Sequence, residues 1–293
     1  MSPDRKEELL FPFKEIRKEQ DKLLLLANAS IKNNRNLICH APTGLGKTAA
    51  VLAPAVKQAD KKDLCVMFLT SRHTQHKIAI ETLQKIKNQY NINFDSVSII
   101  GKKWMCIQSG IQNLYSSEFS HYCKNLRENK KCEFYLNTKQ GIKLTEQAKN
   151  LIKEINAISP ITTEKIIEMA KDEQVCPYEI SMAIATKAKV IITDYYYLFN
   201  PSIGENFLQK INREPKDLIV VVDEAHNLPF RLKDLASEYL SSVTLRRAIK
   251  EAKKFGYLEK VEIISRIQDL ILELGQELKI EEEKFVLKQD IKD

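Results

Sequence analysis

The stretch that most constrains how this chain folds is Ala41-Pro42-Thr43-Gly44-Leu45-Gly46-Lys47-Thr48. Before it comes the apolar run Leu37-Ile38-Cys39, which reads as a strand. After it comes Ala49-Ala50-Val51-Leu52, which opens a helix. Strand, glycine-containing loop, Lys-Thr and helix are the parts of a phosphate cradle, in which loop N–H groups and the helix N-terminus face a polyanion. In such a cradle Lys47 reaches the β- and γ-phosphates and the Thr48 hydroxyl ligates Mg²⁺. Ala41 stands where the strict pattern has glycine.

Further apolar runs recur with helix-forming stretches between them: Leu64-Cys65-Val66-Met67-Phe68-Leu69, Val97-Ser98-Ile99-Ile100, Val190-Ile191-Ile192-Thr193 and Leu218-Ile219-Val220-Val221-Val222. Near-continuous Val/Ile/Leu runs are the pattern of parallel strands covered on both faces. Their alternation with helices predicts an open α/β sheet with its ligands at the carboxyl ends of the strands. Three polar groups follow strands in that way: the phosphate loop, Thr70-Ser71-Arg72-His73, and Asp223-Glu224-Ala225-His226. Asp223 is suited to hold Mg²⁺ and Glu224 to polarise an attacking water. Upstream, the Gln20 amide both donates and accepts, as reading an adenine edge requires.

Residues 101–180 interrupt this rhythm. They hold Cys106, Cys123, Cys132 and Cys176, with 16, 8 and 43 residues between them, and these are not zinc-ribbon spacings. Cysteines in a cytosolic chain point to metal or buried thiols before disulfides. The stretch reads as a small region that buries little apolar surface and would gain from a thiolate cage. Spacing alone leaves zinc, iron–sulfur and free thiols open. Cys39 and Cys65 lie in apolar runs and read as small core residues.

After the fourth apolar run comes Tyr195-Tyr196-Tyr197. Three consecutive tyrosines cannot all be core. Either some of them stack on unpaired bases, each stack worth about 1–3 kcal/mol, or Tyr196, Leu198 and Phe199 pack the strand end. Beyond His226 the pattern is helical, with Val261, Ile264, Ile267, Leu270, Ile271 and Leu274 on one face, then the charged tail Ile280-Glu281-Glu282-Glu283-Lys284. The net charge of +7 fits a polyanionic partner or solvated lysine faces. No apolar run approaches the length of a membrane span, and the start Asp4-Arg5-Lys6-Glu7-Glu8 is not a signal peptide. The expected location is cytoplasmic, or nuclear in a eukaryote.

Taken together these segments resemble the amino-terminal part of the XPD family, the iron–sulfur DNA helicases of superfamily 2. The resemblance runs from about Phe11 to Asn227. It is carried by Phe11-Pro12-Phe13 with Arg17 and Gln20, the phosphate loop, Ser71-Arg72, the four cysteine segments, and Asp223-Glu224-Ala225-His226-Asn227. Ala41 is the superfamily form, whereas His73 replaces the family's threonine.

The resemblance implies a RecA-like parallel sheet (1–100 and 181–230), an inserted cluster domain (101–180) and the helical start of an Arch domain (231–293). It implies ATP and Mg²⁺ as cofactors, with Gln20 and residues 41–48 holding the nucleotide and Asp223, Glu224 and His226 serving hydrolysis. It implies a [4Fe–4S] cluster on the four cysteines. Ser71, Arg72, His73 and Tyr195 are expected to meet single-stranded or forked DNA during 5′→3′ translocation, with a role in DNA repair. Lys102, Lys103, Lys124, Arg127, Lys130 and Lys131 suit phosphate contact or a solvated face. Nothing after residue 227 resembles the family's second motor domain, so the isolated chain is expected to hydrolyse ATP slowly. The competing expectation is a non-motor ATP- and DNA-binding subunit, or one gated by the redox state of its cluster.

Overall fold

The computed structural model describes residues 8–237, 239–276, 278–279 and 282–287. The start Asp4-Arg5-Lys6-Glu7 and the Ile280-Glu281 part of the tail lie outside them. Contacts divide the chain into Met1–Leu232 and Lys233–Asp293.

In the first unit the elements run α1 (Gln20–Lys32), α2 (Lys47–Lys62), β1 (Cys65–Leu69), α3 (His73–Tyr90), β2 (Ser96–Ile99), α4 (Lys102–Met105), α5 (Ser116–Glu128) and α6 (Glu133–Thr138). A two-stranded hairpin follows, β3 (Lys139–Gln140) and β4 (Lys143–Leu144). Then come α7 (Glu146–Ile158), α8 (Thr163–Asp172), α9 (Pro177–Ala185), β5 (Val190–Thr193), α10 (Tyr196–Phe199), α11 (Pro201–Ile211) and β6 (Leu218–Val222). The helix α12 (Leu228–Leu235) follows and runs past Leu232, the last residue of this unit.

Four strands form one parallel sheet in the order β2-β5-β1-β6. Successive side chains of a strand point to opposite faces, and here both faces are covered. Val66, Phe68, Val190, Ile192 and Ile219 join α1, α2 and α3 in one core. Cys65, Met67, Leu69, Val97, Ile99 and Ile191 join α7, α8, α9 and α11 in the other. This explains why the strands read as unbroken apolar runs. On α2 the buried face is Ala49, Ala50, Leu52, Ala53, Val56 and Ala59, mostly small residues that let the helix lie close to the sheet.

Two expectations need correcting. The stretch 101–180 does not bury little apolar surface. Its Ala148, Leu151, Ile155, Ile166, Ala170 and Val175 are all buried in the core that covers one sheet face. And Leu37-Ile38-Cys39 is not a strand: Leu37 and Cys39 are exposed and Ile38 is 99% exposed. A strand exists only where a neighbouring edge accepts its N–H and C=O groups, and no described residue pairs with this run. The outer edge of β6 is likewise unpaired among the described residues, with Val220 exposed.

The register brings the carboxyl ends of three strands level. Leu69 stands opposite Thr193 on one side and Val222 on the other. Thr70 N–H donates to Thr193 O at 2.9 Å and Asp223 N–H to Leu69 O at 2.9 Å. The residues that follow, Ser71, Asp194 and Asp223, therefore emerge along one edge.

In the second unit α13 (Ser242–Lys254) packs on α14 (Leu258–Gly275). Ser241 caps α13, its hydroxyl accepting from Thr244 N–H at 3.1 Å. The stripe Val261, Ile264, Leu270, Ile271 and Leu274 is half-buried on α14, while Ile267 is exposed.

Candidate nucleotide site and cysteine cleft

Gly46 is the N-cap of α2, at φ 83°. Glycine is favoured there. The conformation is left-handed, and a Cβ would sit 2.3 Å from Gln20 Nε2. Gln20 is buried. Its amide N–H donates to Gly46 O at 3.0 Å and its Oε1 accepts from Arg17 N–H at 3.0 Å. The Arg17 guanidinium donates to Gly44 O. Gln20 and Arg17 thus hold the loop's backbone, the Gln20 amide using one N–H and its oxygen for this. Pro42, Thr43 and Gly44 are exposed, and Lys47 and Thr48 half-buried. The first-turn N–H groups of α2 have no intrahelical acceptor.

Lys47 Nζ donates to Glu224 Oε1 at 3.1 Å and to Ala41 O at 3.3 Å. Glu224 takes a left-handed backbone, φ 51°, a conformation that costs a non-glycine residue about 1–3 kcal/mol. It is held there through its carbonyl, which accepts from Tyr195 Oη at 3.2 Å, Asn227 N–H at 3.0 Å and Asn227 Nδ2 at 3.2 Å. His226 Nδ1 lies 3.4 Å from Glu224 Oε2. Asp223 is half-buried. Burial, and then the Glu224 charge, push its carboxyl above the ordinary value, with Lys47 acting the other way. Its Oδ2 is buried with no hydrogen-bond partner, which leaves an acceptor for a hydrated cation.

Tyr195 is 1% exposed, and its hydroxyl donates to Asp223 O and Glu224 O. Its assignment to DNA stacking is therefore corrected: the ring has no face to offer, and it braces the acidic pair instead. The sequence signal was present, since Tyr195 follows β5, two strands from β6, but periodicity does not say which of three tyrosines turns inward. Tyr197 packs edge-on against Phe207, with ring centroids 4.9 Å apart. Tyr196 stays half-buried beside Arg231. Ser71 is half-buried, while Arg72, the N-cap of α3, and His73, its first residue, are exposed.

Some distance along the chain, Cys106, Cys123, Cys132 and Cys176 line a single cleft. Cys106 ends α4, Cys123 lies on α5, Cys132 precedes α6 and Cys176 is the N-cap of α9. All four are free thiols, and among the described residues no three of them form a ready single-ion centre. Burial pushes the Cys106 thiol up and that of Cys176 up to about 12. Lys102 and Arg127 line the same cleft. Cys65 is buried in β1 with its thiol pushed up to about 11. Cys39, expected in the core, is exposed because its run makes no strand.

The chain is similar to several known proteins. The DEAD_2 family profile matches residues 68–245. The General transcription and DNA repair factor IIH helicase subunit XPD/RAD3 of Saccharomyces cerevisiae is 23% identical over 292 residues, 95% of this chain and 36% of that protein. The ATP-dependent DNA helicase XPD of Sulfolobus acidocaldarius is 25% identical over 278 residues, 94% of this chain and 43% of that protein. The chain thus spans less than half the length of these two relatives. A solved structure described as Truncated XPD shares the fold, with a TM-score of 0.56 at 23% identity over 94% of this chain and 71% of that one.

Proposed function

The chain belongs to the DEAD_2 family, and from that premise we propose that it is the first motor half of an XPD-type, ATP-dependent DNA helicase. The observation that carries the reading is the Lys47–Glu224 contact at 3.1 Å, which joins the phosphate loop to the acidic end of β6.

In the proposed cycle ATP phosphates dock on the first-turn N–H groups of α2. Lys47 leaves Glu224 for the β- and γ-phosphates, and the freed Glu224 carboxylate orients the attacking water. Magnesium, when bound with the nucleotide, neutralises charge developing on the phosphates. Thr48 and the unpartnered Asp223 Oδ2 are the groups that would hold it. His226, in contact with Glu224, would relay hydrolysis to motion. Ser71, Arg72 and His73 would grip the backbone of single-stranded DNA at the start of α3 as the motor moves 5′→3′ on forked repair substrates. A second motor half, on the rest of the polypeptide or on a separate chain, would supply the arginine that is worth about 10³–10⁵ in turnover.

The cysteine cleft supports a [4Fe–4S] cluster. A cubane takes one thiolate per iron, so four sulfurs spaced around a cleft fit it, and Arg127 Nε is buried there with no acceptor. When bound, the cluster would cross-link the segments that carry α4, α5, α6 and α9.

The test is reconstitution with a second motor half and measurement of DNA-stimulated ATPase. Glu224→Gln is expected to keep nucleotide binding and abolish turnover. An unchanged rate in that variant would favour a non-motor binding subunit.

A further inference from the structure

Arg127 lies on α5, one helical turn after Cys123. Its guanidinium sits over the Tyr135 ring at 5.5 Å, and its Nε is buried with no hydrogen-bond acceptor in the protein. Buried donors in native proteins are almost always satisfied, and an exception signals a water, an ion or a functional constraint. Arg127 lines the cleft that the four cysteines share. An acceptor is therefore to be sought in the cleft's occupant.

The charge balance around the cleft points the same way. The cleft's four cysteines are buried or half-buried, and a cluster would hold them as thiolates. Four of them on a cluster bring net negative charge into a poorly solvated site, which needs nearby cations. The carboxylate of Glu179, which follows Cys176 on α9, is paired with Lys139 at 2.6 Å. Lys102 is engaged over the Tyr178 ring at 5.1 Å. Of Lys102 and Arg127, Arg127 is the one with a buried N–H that lacks an acceptor.

Resting on the cluster reading above, we propose that Arg127 is a positioning and charge-compensating residue for the cluster, donating Nε–H to a thiolate or sulfide and raising the cluster's reduction potential. Hydrogen bonds to sulfur and local charge are the protein's means of setting such potentials. A reduced cluster carries one more negative charge than the oxidised one, so a guanidinium beside it favours the reduced form.

The experiment uses the full chain, reconstituted anaerobically with ferrous iron and sulfide and titrated with dithionite, with the one-electron reduction followed by electron paramagnetic resonance. Wild type is expected to hold about four irons. Arg127→Gln is expected to hold the same iron with its reduction equilibrium weakened about tenfold, a fall of about 59 mV for one electron. Arg127→Lys, which keeps the charge, is expected to fall between the two. If Arg127→Gln takes up no iron, loading in Arg127→Lys shows that the cleft needs the charge, which supports the proposal. A loaded Arg127→Gln cluster with an unshifted potential overturns it while the cluster reading stands. Colourless wild-type protein overturns both.

Discussion

Lys47 and Glu224 lie 177 positions apart in the sequence and 3.1 Å apart across the carboxyl end of the sheet. Their side chains are 29% and 27% exposed, so water screens the pair and its worth is about 0.2–1 kcal/mol. Such a pair is strong enough to park Lys47 away from the phosphate position and weak enough for a nucleotide to displace it. Glu224→Gln removes that competition. The variant should bind Mg-ATP up to about fivefold tighter than wild type, whereas Lys47→Ala should lose binding outright. Titration with a fluorescent ATP analogue measures both, and weaker binding by Glu224→Gln would refute the parked arrangement.

Asp223 makes stability depend on pH in a defined direction. Its carboxyl is raised above the ordinary value, first by burial and then by the Glu224 charge. The folded chain therefore holds this proton more tightly than the unfolded chain, and the contribution is fully present below the unfolded pKa. It is lost as pH rises through the folded value. Above that range the ionised carboxylate, whose Oδ2 has no hydrogen-bond partner, counts against the folded chain. Asp223→Asn should then raise Tm in EDTA, with the gain growing as pH rises. The same variant should lose the further rise that Mg-nucleotide gives wild type. Differential scanning fluorimetry reads both shifts.

Tyr195→Phe separates bracing from base stacking. The hydroxyl serves the carbonyls of Asp223 and Glu224 and the ring is buried. Removing the hydroxyl should cost about 0.5–1.5 kcal/mol of stability and lower turnover in the reconstituted motor. Affinity for single-stranded DNA should not change. A variant with normal turnover and weakened DNA binding would restore the stacking role.

The sheet was legible because β1, β2 and β5 are buried on both faces, which forces unbroken runs such as Cys65–Leu69 and Val190–Thr193. The phosphate loop was legible because Gly46 sits at a left-handed turn that favours glycine. Leu37-Ile38-Cys39 passes the same local test as the strands and still forms none, since a strand is defined by a neighbour that its own residues do not encode. Tyr195 was misread for a related reason: α10 begins directly after it and changes the period from two to helical, so facing is lost at that turn. The spacing of the cysteines carried no ligand geometry, because α5, α6 and α9 bring them to one cleft by tertiary packing.

Thiol reactivity should follow exposure and not the apolar character of the flanking residues. Cys39 is exposed, whereas Cys65 is buried with its thiol pushed up to about 11. At pH 7 a shift of that size lowers the thiolate fraction roughly 100-fold before access is considered. A maleimide should label Cys39 within the first exposure and leave Cys65 unmodified until denaturant is added. Peptide mapping by mass spectrometry distinguishes them, and early labelling of Cys65 would contradict the sheet assignment.

The shared core makes a last prediction about cooperativity. Ile155 on α7 and Ile166 on α8 are fully buried in the cluster that also contains Met67, Val97 and Ile191 of the sheet. Truncating either to alanine should cost about 2–5 kcal/mol. The loss should appear as one earlier transition of the whole first unit, reported alike by far-ultraviolet circular dichroism and by hydrogen exchange in β1 and β5. Deleting 101–180 should likewise leave no folded sheet, because one of its faces would meet water across Cys65, Met67, Leu69 and Ile191. A module that merely sat on the motor would instead melt by itself, with exchange in the strands unchanged. That result would separate the cysteine-bearing stretch from the sheet and restore it as an autonomous insertion.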